Sequence, residues 1–268
     1  MYKNLFDCHI HSDNSHDGHT SVEDICRRAV EMGLAGLAIT DHAECQGYLD
    51  LVYQPRLLKS VADAAAAAEK FKNQLTVIRG FELGQPLQDT DLALELLGLC
   101  DYDFIIGSLH GLGGKTKEDF EYWAFMEDPN HNAHEKLVDY YNQLIDLAHW
   151  GNFDVMGHIT YPVRHVKIDF SRYMEQIDQL LRILIQDGRG IEINTSGLRQ
   201  GVGMTMPHLD LVRYYRQLGG EIITIGSDAH YLEHVGHSVD VGMDMLAAAG
   251  FRYVTYYQNR KPHFIKVE

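Results

Sequence analysis

The chain has 268 residues, 45% of them apolar, and a formal net charge of −15. That apolar share supports a full core and excludes a disordered chain. The acidic balance excludes general nucleic-acid or anionic-membrane binding, which need a basic surface; an anionic small molecule is still open to it, since a metal ion or a local arginine can reverse the field inside one pocket.

The four cysteines, Cys8, Cys26, Cys45 and Cys100, have no CxxC spacing and read as reduced thiols. No apolar run approaches ~18 residues, and the N-terminus does not read as a signal peptide. A cytoplasmic location and no membrane association are expected.

In chain order, the pattern predicts strand 4–10, helix 21–32, strand 35–40, helix 55–72, strand 75–80, helix 89–99 and strand 104–108. It continues with helix 133–150, strand 153–157, helix 171–187, strand 190–194, helix 207–218, strand 221–226, helix 239–249 and a weaker strand 252–257. Thr20-Ser21-Val22-Glu23 fits a capping box before the first helix, and Gly33 fits its stop. Segment 61–70 is alanine-rich and helix-forming. The loop 111–132 carries Phe120, Tyr122, Trp123 and Phe125 and reads as a lid or substrate wall.

Strand–helix alternation implies a parallel sheet covered by helices. Histidines, not a GxGxxG turn, follow the first strand, so a closed barrel is favoured over an open doubly wound sheet. No linker interrupts the chain, and residues 1–268 are expected to form one domain.

The polar residues then fall in one register. His9 and His11 end the first strand, and Asp41 and His42 follow the second. Glu82 follows the third, His110 the fourth and His158 the fifth; Asn194 ends the sixth, and Asp228 and His230 follow the seventh. In an α/β barrel these strand ends converge on one face. A buried gathering of imidazoles and carboxylates needs partners, and divalent ions are the natural ones. Without thiolates the set suits zinc, iron or manganese and selects none of them. In His9-x-His11 the two side chains share a face by strand alternation; Asp228-x-His230 does so only if the strand continues that far. A lone histidine at a strand end is more often structural, so it is the coincidence of several ends that argues for metal. His131, His134, His149, His165, His208 and His263 read as surface residues, while His16, His19, His234 and His237 lie near the proposed site.

In order, these motifs are HxH, Thr40-Asp41-His42, Glu82, His110, Gly157-His158 and Ser227-Asp228-Ala229-His230. They resemble the PHP superfamily of polymerase and histidinol-phosphatase domains. Gly157-His158-Ile159-Thr160 and Asn194-Thr195-Ser196-Gly197-Leu198-Arg199, with the chain length and Arg164, resemble its histidinol-phosphate phosphatase branch. The resemblance implies a distorted (β/α)7 TIM-like barrel with three divalent ions at the C-terminal ends of the strands. It assigns His9, His11, Glu82 and Asp228 to the first ion. Glu82 bridges to the second, completed by His110 and His158, and Asp17, His42 and His230 hold the third. His16 is the competitor of Asp17, which is preferred because Asp followed by Gly18 is the commoner pattern.

The implied activity is hydrolysis of L-histidinol phosphate to L-histidinol and phosphate, in histidine biosynthesis, by a metal-bridging hydroxide. Arg164 and Arg199 are candidates for binding the phosphoryl oxygens, and Asp228 or His42 for protonating the leaving oxygen. The alternative is another small phosphate ester, such as a nucleotide. A barrel cleaving C–N bonds is disfavoured because no strand end offers a lysine. A non-catalytic metal-binding module would leave the two arginines without a use.

Overall fold

The computed structural model describes residues 2, 4–45, 51–113, 120–122 and 133–267. The elements are β1 (Phe6–Ile10), α1 (Val22–Met32), β2 (Gly36–Ile39), β3 (His42–Glu44), α2 (Gln54–Phe71), β4 (Thr76–Gly84), α3 (Thr90–Leu97), β5 (Phe104–Ser108), β6 (Gly111–Gly113) and β7 (Phe120–Tyr122). They continue with α4 (Ala133–Trp150), β8 (Val155–Met156), α5 (Met174–Gln186), β9 (Gly190–Asn194), α6 (Leu209–Gln217), β10 (Ile223–Gly226), α7 (Val239–Ala248), β11 (Tyr253–Gln258) and β12 (Lys261–Lys266). The predicted helices all form, with ends displaced by a few residues. The first is capped by Ser21, whose hydroxyl accepts from Asp24 N, so the cap lies one residue later than the Thr20 box; Gly33 ends it at φ 75.

The strands run parallel in the order β1-β2-β4-β5-β8-β9-β10. The outer strands meet through two backbone hydrogen bonds, Asp228 N to His9 O and His11 N to Ala229 O, each 2.8 Å. The result is a nearly closed barrel wrapped in helices. Seven of the expected strands build it.

Three departures from the expected elements matter for the site. First, β4 runs on past Gly80 to Gly84, because β3 pairs with its far end in the register His42 to Glu82. Glu82 is therefore inside a ladder rather than on a loop. Second, the ladder of β1 with β2 slips between Asp7 and Ile10. Phe6 and Cys8 pack in a buried cluster with Ala38, Ile78, Phe104, Ile106, Val155 and Tyr257, whereas Ile10 packs with the α1 residues Val22, Ile25 and Cys26. The bulge shifts the inward parity from Phe6 and Cys8 to His9 and His11. Bulges commonly re-aim side chains beside sites.

Third, the weak last strand does not join the barrel. β11 pairs with β12 in an antiparallel hairpin. Its two turn residues, Asn259 and Arg260, both have positive φ, at 51° and 58°, without the glycine that usually signals such a turn. Tertiary contacts hold them there: Asp103 accepts from Asn259 N and Arg260 N, and Arg260 Nε donates to Asp154 Oδ2 at 2.7 Å. Asp103 and Asp154 lie just before β5 and β8, so the hairpin covers the N-terminal mouth of the barrel. Tyr256 stacks on Phe6 at 4.4 Å, and Tyr257 on Phe104 at 5.2 Å. Of loop 111–132, residues 114–119 and 123–132 lie outside the described residues, and with them Trp123, Phe125 and His131. The part on view is the short β6–β7 pairing.

No described helix is long and apolar enough to cross a membrane.

Tyr257 is 4% exposed. Tyr257→Ala is expected to lower the unfolding free energy by about 3–5 kcal/mol, through a cavity at the mouth opposite the site. Denaturant unfolding checks this, with metal content per folded chain unchanged.

Candidate metal centre

The side chains of the C-terminal mouth are placed by the strands and by one loop. Residues 12–17 leave β1 and are tied down on three sides. Asp41 accepts from Ser12 N at 2.5 Å and from the hydroxyls of Ser12 and Ser60, at 2.8 and 2.5 Å. Arg56 on α2 donates to Asn14 O at 3.2 Å. Ser15 Oγ accepts from His42 N and donates to Asp17 Oδ1, both at 3.1 Å. Asp41, although at a strand end, thus anchors the loop that presents Asp17. Asp7 is likewise structural: it accepts from Ser227 N and Gly236 N, both at 2.8 Å, joining β1 to the loop after β10.

Glu82, 1% exposed by side chain, is the hub. Its Oε2 lies 3.2 Å from His9 Nε2, 3.6 Å from His11 Nε2 and 3.0 Å from His42 Nδ1. Its Oε1 lies 3.2 Å from His110 Nε2, 2.9 Å from His158 Nε2 and 2.5 Å from Ser108 Oγ. Asp228 Oδ1 lies 3.4 Å from His11 Nε2 and 3.6 Å from His230 Nδ1. β10 ends before Asp228, which has φ 54, so the Asp-x-His pair converges through a left-handed residue and not by strand alternation. Asp17 Oδ2 is 3.1 Å from His230 Nε2 and 3.6 Å from His42 Nε2; His16 Nε2 lies 3.9 Å from Asp17 Oδ2, and its ring centroid 5.2 Å from that of His42.

Sequence reasoning missed two carboxylates. Glu44 Oε1 lies 2.9 Å from His110 Nδ1 and 3.1 Å from His42 Nδ1. It sits on β3, which was not foreseen. Glu192 Oε1 is 2.6 Å from His9 Nδ1, and its Oε2 accepts from His158 N at 2.9 Å. The signal for Glu192 was present: a lone acid in Gly190-Ile191-Glu192-Ile193-Asn194, on the same strand face as Asn194.

The charges are strongly coupled. Burial opposes ionisation of Glu82, but His9, His110 and His42 hold it well below the usual carboxylate range. Burial likewise opposes Asp228, and Arg164 and His9 outweigh it. Asp17 is lowered against burial by His42 and His230, and Glu44 to about 2 against burial, chiefly by His110. Burial would lower His9 and His42, yet the adjacent carboxylates raise both well above the usual histidine value. His110 is raised against burial to about 10 by Glu44 and Glu82. His11 is lowered well below, by burial and by His42 and His230.

The donor set fits divalent ions on a direct test. His9 Nε2, both nitrogens of His11, His42 Nδ1 and Glu82 Oε2 are buried without a properly directed hydrogen bond. So many unsatisfied atoms at one place would be costly unless something else binds them. Among the described residues, three groups bring ligand atoms together: His9, His11 and Asp228; His42, Glu82 and His110; and His11, His42 and His230. Arg164, Asn194 and Ser196 Oγ donate to Asp228 Oδ2, at 2.5, 3.2 and 3.4 Å.

The groups open into a cavity of about 520 Å³ lined also by His16, His19, Tyr161, Arg199, Tyr231 and His234. Arg164 is partly buried over the ring of Tyr161, its guanidinium carbon 4.6 Å from the centroid. Arg199 donates to the carbonyls of Ser227 and Asp228, both at 2.5 Å. Both arginines therefore reach the site, and both also brace the segment carrying Asp228. His134, His149, His208 and His263 are not among the residues that line this cavity.

The PHP domain profile matches residues 7–196, most of the chain. This chain belongs to the PHP domain family. It is 27% identical to a probable histidinol-phosphatase of Thermotoga maritima over 257 residues, covering 93% of this chain and 94% of the relative. It is 23% identical to the histidinol-phosphatase of Lactococcus lactis, with 95% of each chain covered. The crystal structure of the histidinol phosphate phosphatase of Lactococcus lactis, complexed with zinc, L-histidinol and phosphate, superposes with a TM-score of 0.83 at 22% identity, over 97% of this chain and 99% of that one. At that identity the superposition establishes the PHP barrel as the fold.

Removing the Asp17 carboxylate is expected to cost this PHP centre one ion per chain, and removing the His16 ring none. Metal analysis of Asp17→Ala and His16→Ala beside the unmodified protein checks it.

Proposed function

We propose that this PHP protein is a metal-dependent phosphomonoesterase that hydrolyses L-histidinol phosphate to L-histidinol and phosphate. One observation carries the reading: Glu82 stands between adjoining groups of buried ligand atoms, in a cavity that two arginines also line. The names of the relatives support the choice of substrate.

His9, His11, Glu82 and Asp228 would hold one ion, Glu82, His110 and His158 a second, and Asp17, His42 and His230 a third. The donors suit zinc, iron or manganese. Bound there, such ions would make a water nucleophilic near neutral pH and neutralise phosphoryl charge.

The chain's own groups do the rest. Arg199 and Arg164 bind non-bridging phosphoryl oxygens, Arg164 through guanidinium nitrogens other than the Nη2 that holds Asp228. Asp228, ionised beside Arg164, accepts the proton of the attacking water on a carboxylate oxygen and delivers it to the leaving alkoxide. His42 is the alternative candidate for protonating the leaving oxygen. Tyr161 holds the plane of Arg164. The residues lining the cavity together position the ester.

Phosphate release from L-histidinol phosphate, nucleotides and sugar phosphates, each with zinc-, iron- or manganese-loaded protein, tests the assignment. The expected order has L-histidinol phosphate highest in kcat/KM; a preference for a nucleotide would move the substrate to that class. Arg199→Ala is expected to lower kcat/KM by about 10–100-fold, in line with losing one charge-assisted contact of about 1.5–3 kcal/mol. An unchanged kcat and KM would remove Arg199 from the phosphate site.

A further inference from the structure

Glu192 is 1% exposed, and its carboxylate bonds to His9, His158 and Asn194 in the wall of the metal centre. It sits in β9, where Ile191 and Ile193 pack outward into the main hydrophobic cluster, so alternation turns Glu192 and Asn194 inward. One carboxylate oxygen contacts His9 Nδ1 at 2.6 Å. The other accepts from His158 N at 2.9 Å and from Asn194 Nδ2 at 3.3 Å. Gly226 makes the room: a Cβ there would lie 2.3 Å from both Glu192 Oε1 and His9 Cβ.

We infer that Glu192 is a positioning residue of the metal centre, which fixes the ring of His9 and the backbone of His158 with a single carboxylate. A carboxylate accepts and does not donate, so the 2.6 Å contact places the proton of His9 on Nδ1. Nε2 faces Glu82 and Asp228, is one of the buried nitrogens without a directed hydrogen bond, and would be the atom that gives its lone pair to a bound ion. Such an outer carboxylate orients a ligating imidazole, makes it a stronger donor, and typically strengthens metal binding by about 10–100-fold. Glu192 adds a second constraint. By holding His158 N, it sets β8 and β1 relative to each other on opposite sides of Glu82. Glu44 differs, because its Oε1 is shared between two imidazoles and does not commit either ring alone.

The inference rests on the proposed ligand roles of His9 and His158, so the test reads metal binding rather than turnover. Metal-free wild-type, Glu192→Gln and Glu192→Asp proteins are titrated with zinc against a chelator, and their visible spectra are recorded with cobalt. Gln keeps an acceptor for His9 but removes the charge and offers His158 N a competing donor. Glu192→Gln is expected to fold with unchanged circular dichroism, to weaken one zinc ion by about 10–100-fold, and to alter the cobalt spectrum. Glu192→Asp keeps the charge with a shorter reach and is expected to show the same one-ion loss in smaller degree, which also serves if the Gln variant does not fold. Wild-type zinc affinity and an unchanged cobalt spectrum in the variants would overturn the positioning role alone. Failure of the wild-type protein to bind zinc or cobalt would overturn the ligand assignments and this inference together.

Discussion

The centre depends on one carboxylate held away from water. Glu82 has a strand backbone on each side, β3 and β5, and imidazoles from five different positions within reach of its two oxygens. A buried anion of this kind is strongly destabilising unless it is surrounded by positive charge or donors. The surrounding chain is arranged to supply them: a hydroxyl from Ser108 on one oxygen, and imidazoles drawn from β1, the β2–β3 path and the ends of β5 and β8. The division of its two oxygens between two sets of rings is what gives the site adjoining compartments.

Around that hub, acids and bases are assigned by position rather than by type. Asp7 and Asp41 lie beside ligand-type histidines in sequence yet spend their oxygens on backbone amides and hydroxyls, anchoring the loops after β10 and β1. Asp17, Glu82 and Asp228 keep oxygens facing the cavity. Glu44, which also lines the cavity, and Glu192, which does not, each stand against the Nδ1 of an imidazole whose Nε2 faces Glu82. The two arginines are doubly engaged, lining the cavity and bracing the backbone and side chain of Asp228. Binding an anionic ester and keeping Asp228 ionised therefore draw on the same guanidinium groups.

The opposite mouth shows why the barrel can bear so polar an end. Phe6, Cys8, Ala38, Ile78, Phe104, Ile106 and Val155 fill the lower interior, and Tyr256 and Tyr257 of the hairpin cover it. The apolar layer carries the packing, which leaves the upper layer free to be organised for chemistry.

Strand–helix alternation, the helix positions and the strand-end register of His9, His11, His42, Glu82, His110, His158, Asp228 and His230 were set by the sequence itself, because burial periodicity and residue type are local properties. The tertiary structure decided what depends on partners distant in the chain. The extension of β4 to Gly84 required β3 beside it. The switch of inward parity at Cys8–His9 required a slipped ladder with β2. The Asn259–Arg260 turn required Asp103 and Asp154, since its residues do not favour positive φ on their own. The approach of the Asp17 carboxylate to the ring nitrogens of His42 and His230 required Asp41, Ser15 and Arg56 to set the loop. In each case the deciding energy is a hydrogen bond or a packing contact between residues far apart in sequence, and no local pattern encodes it.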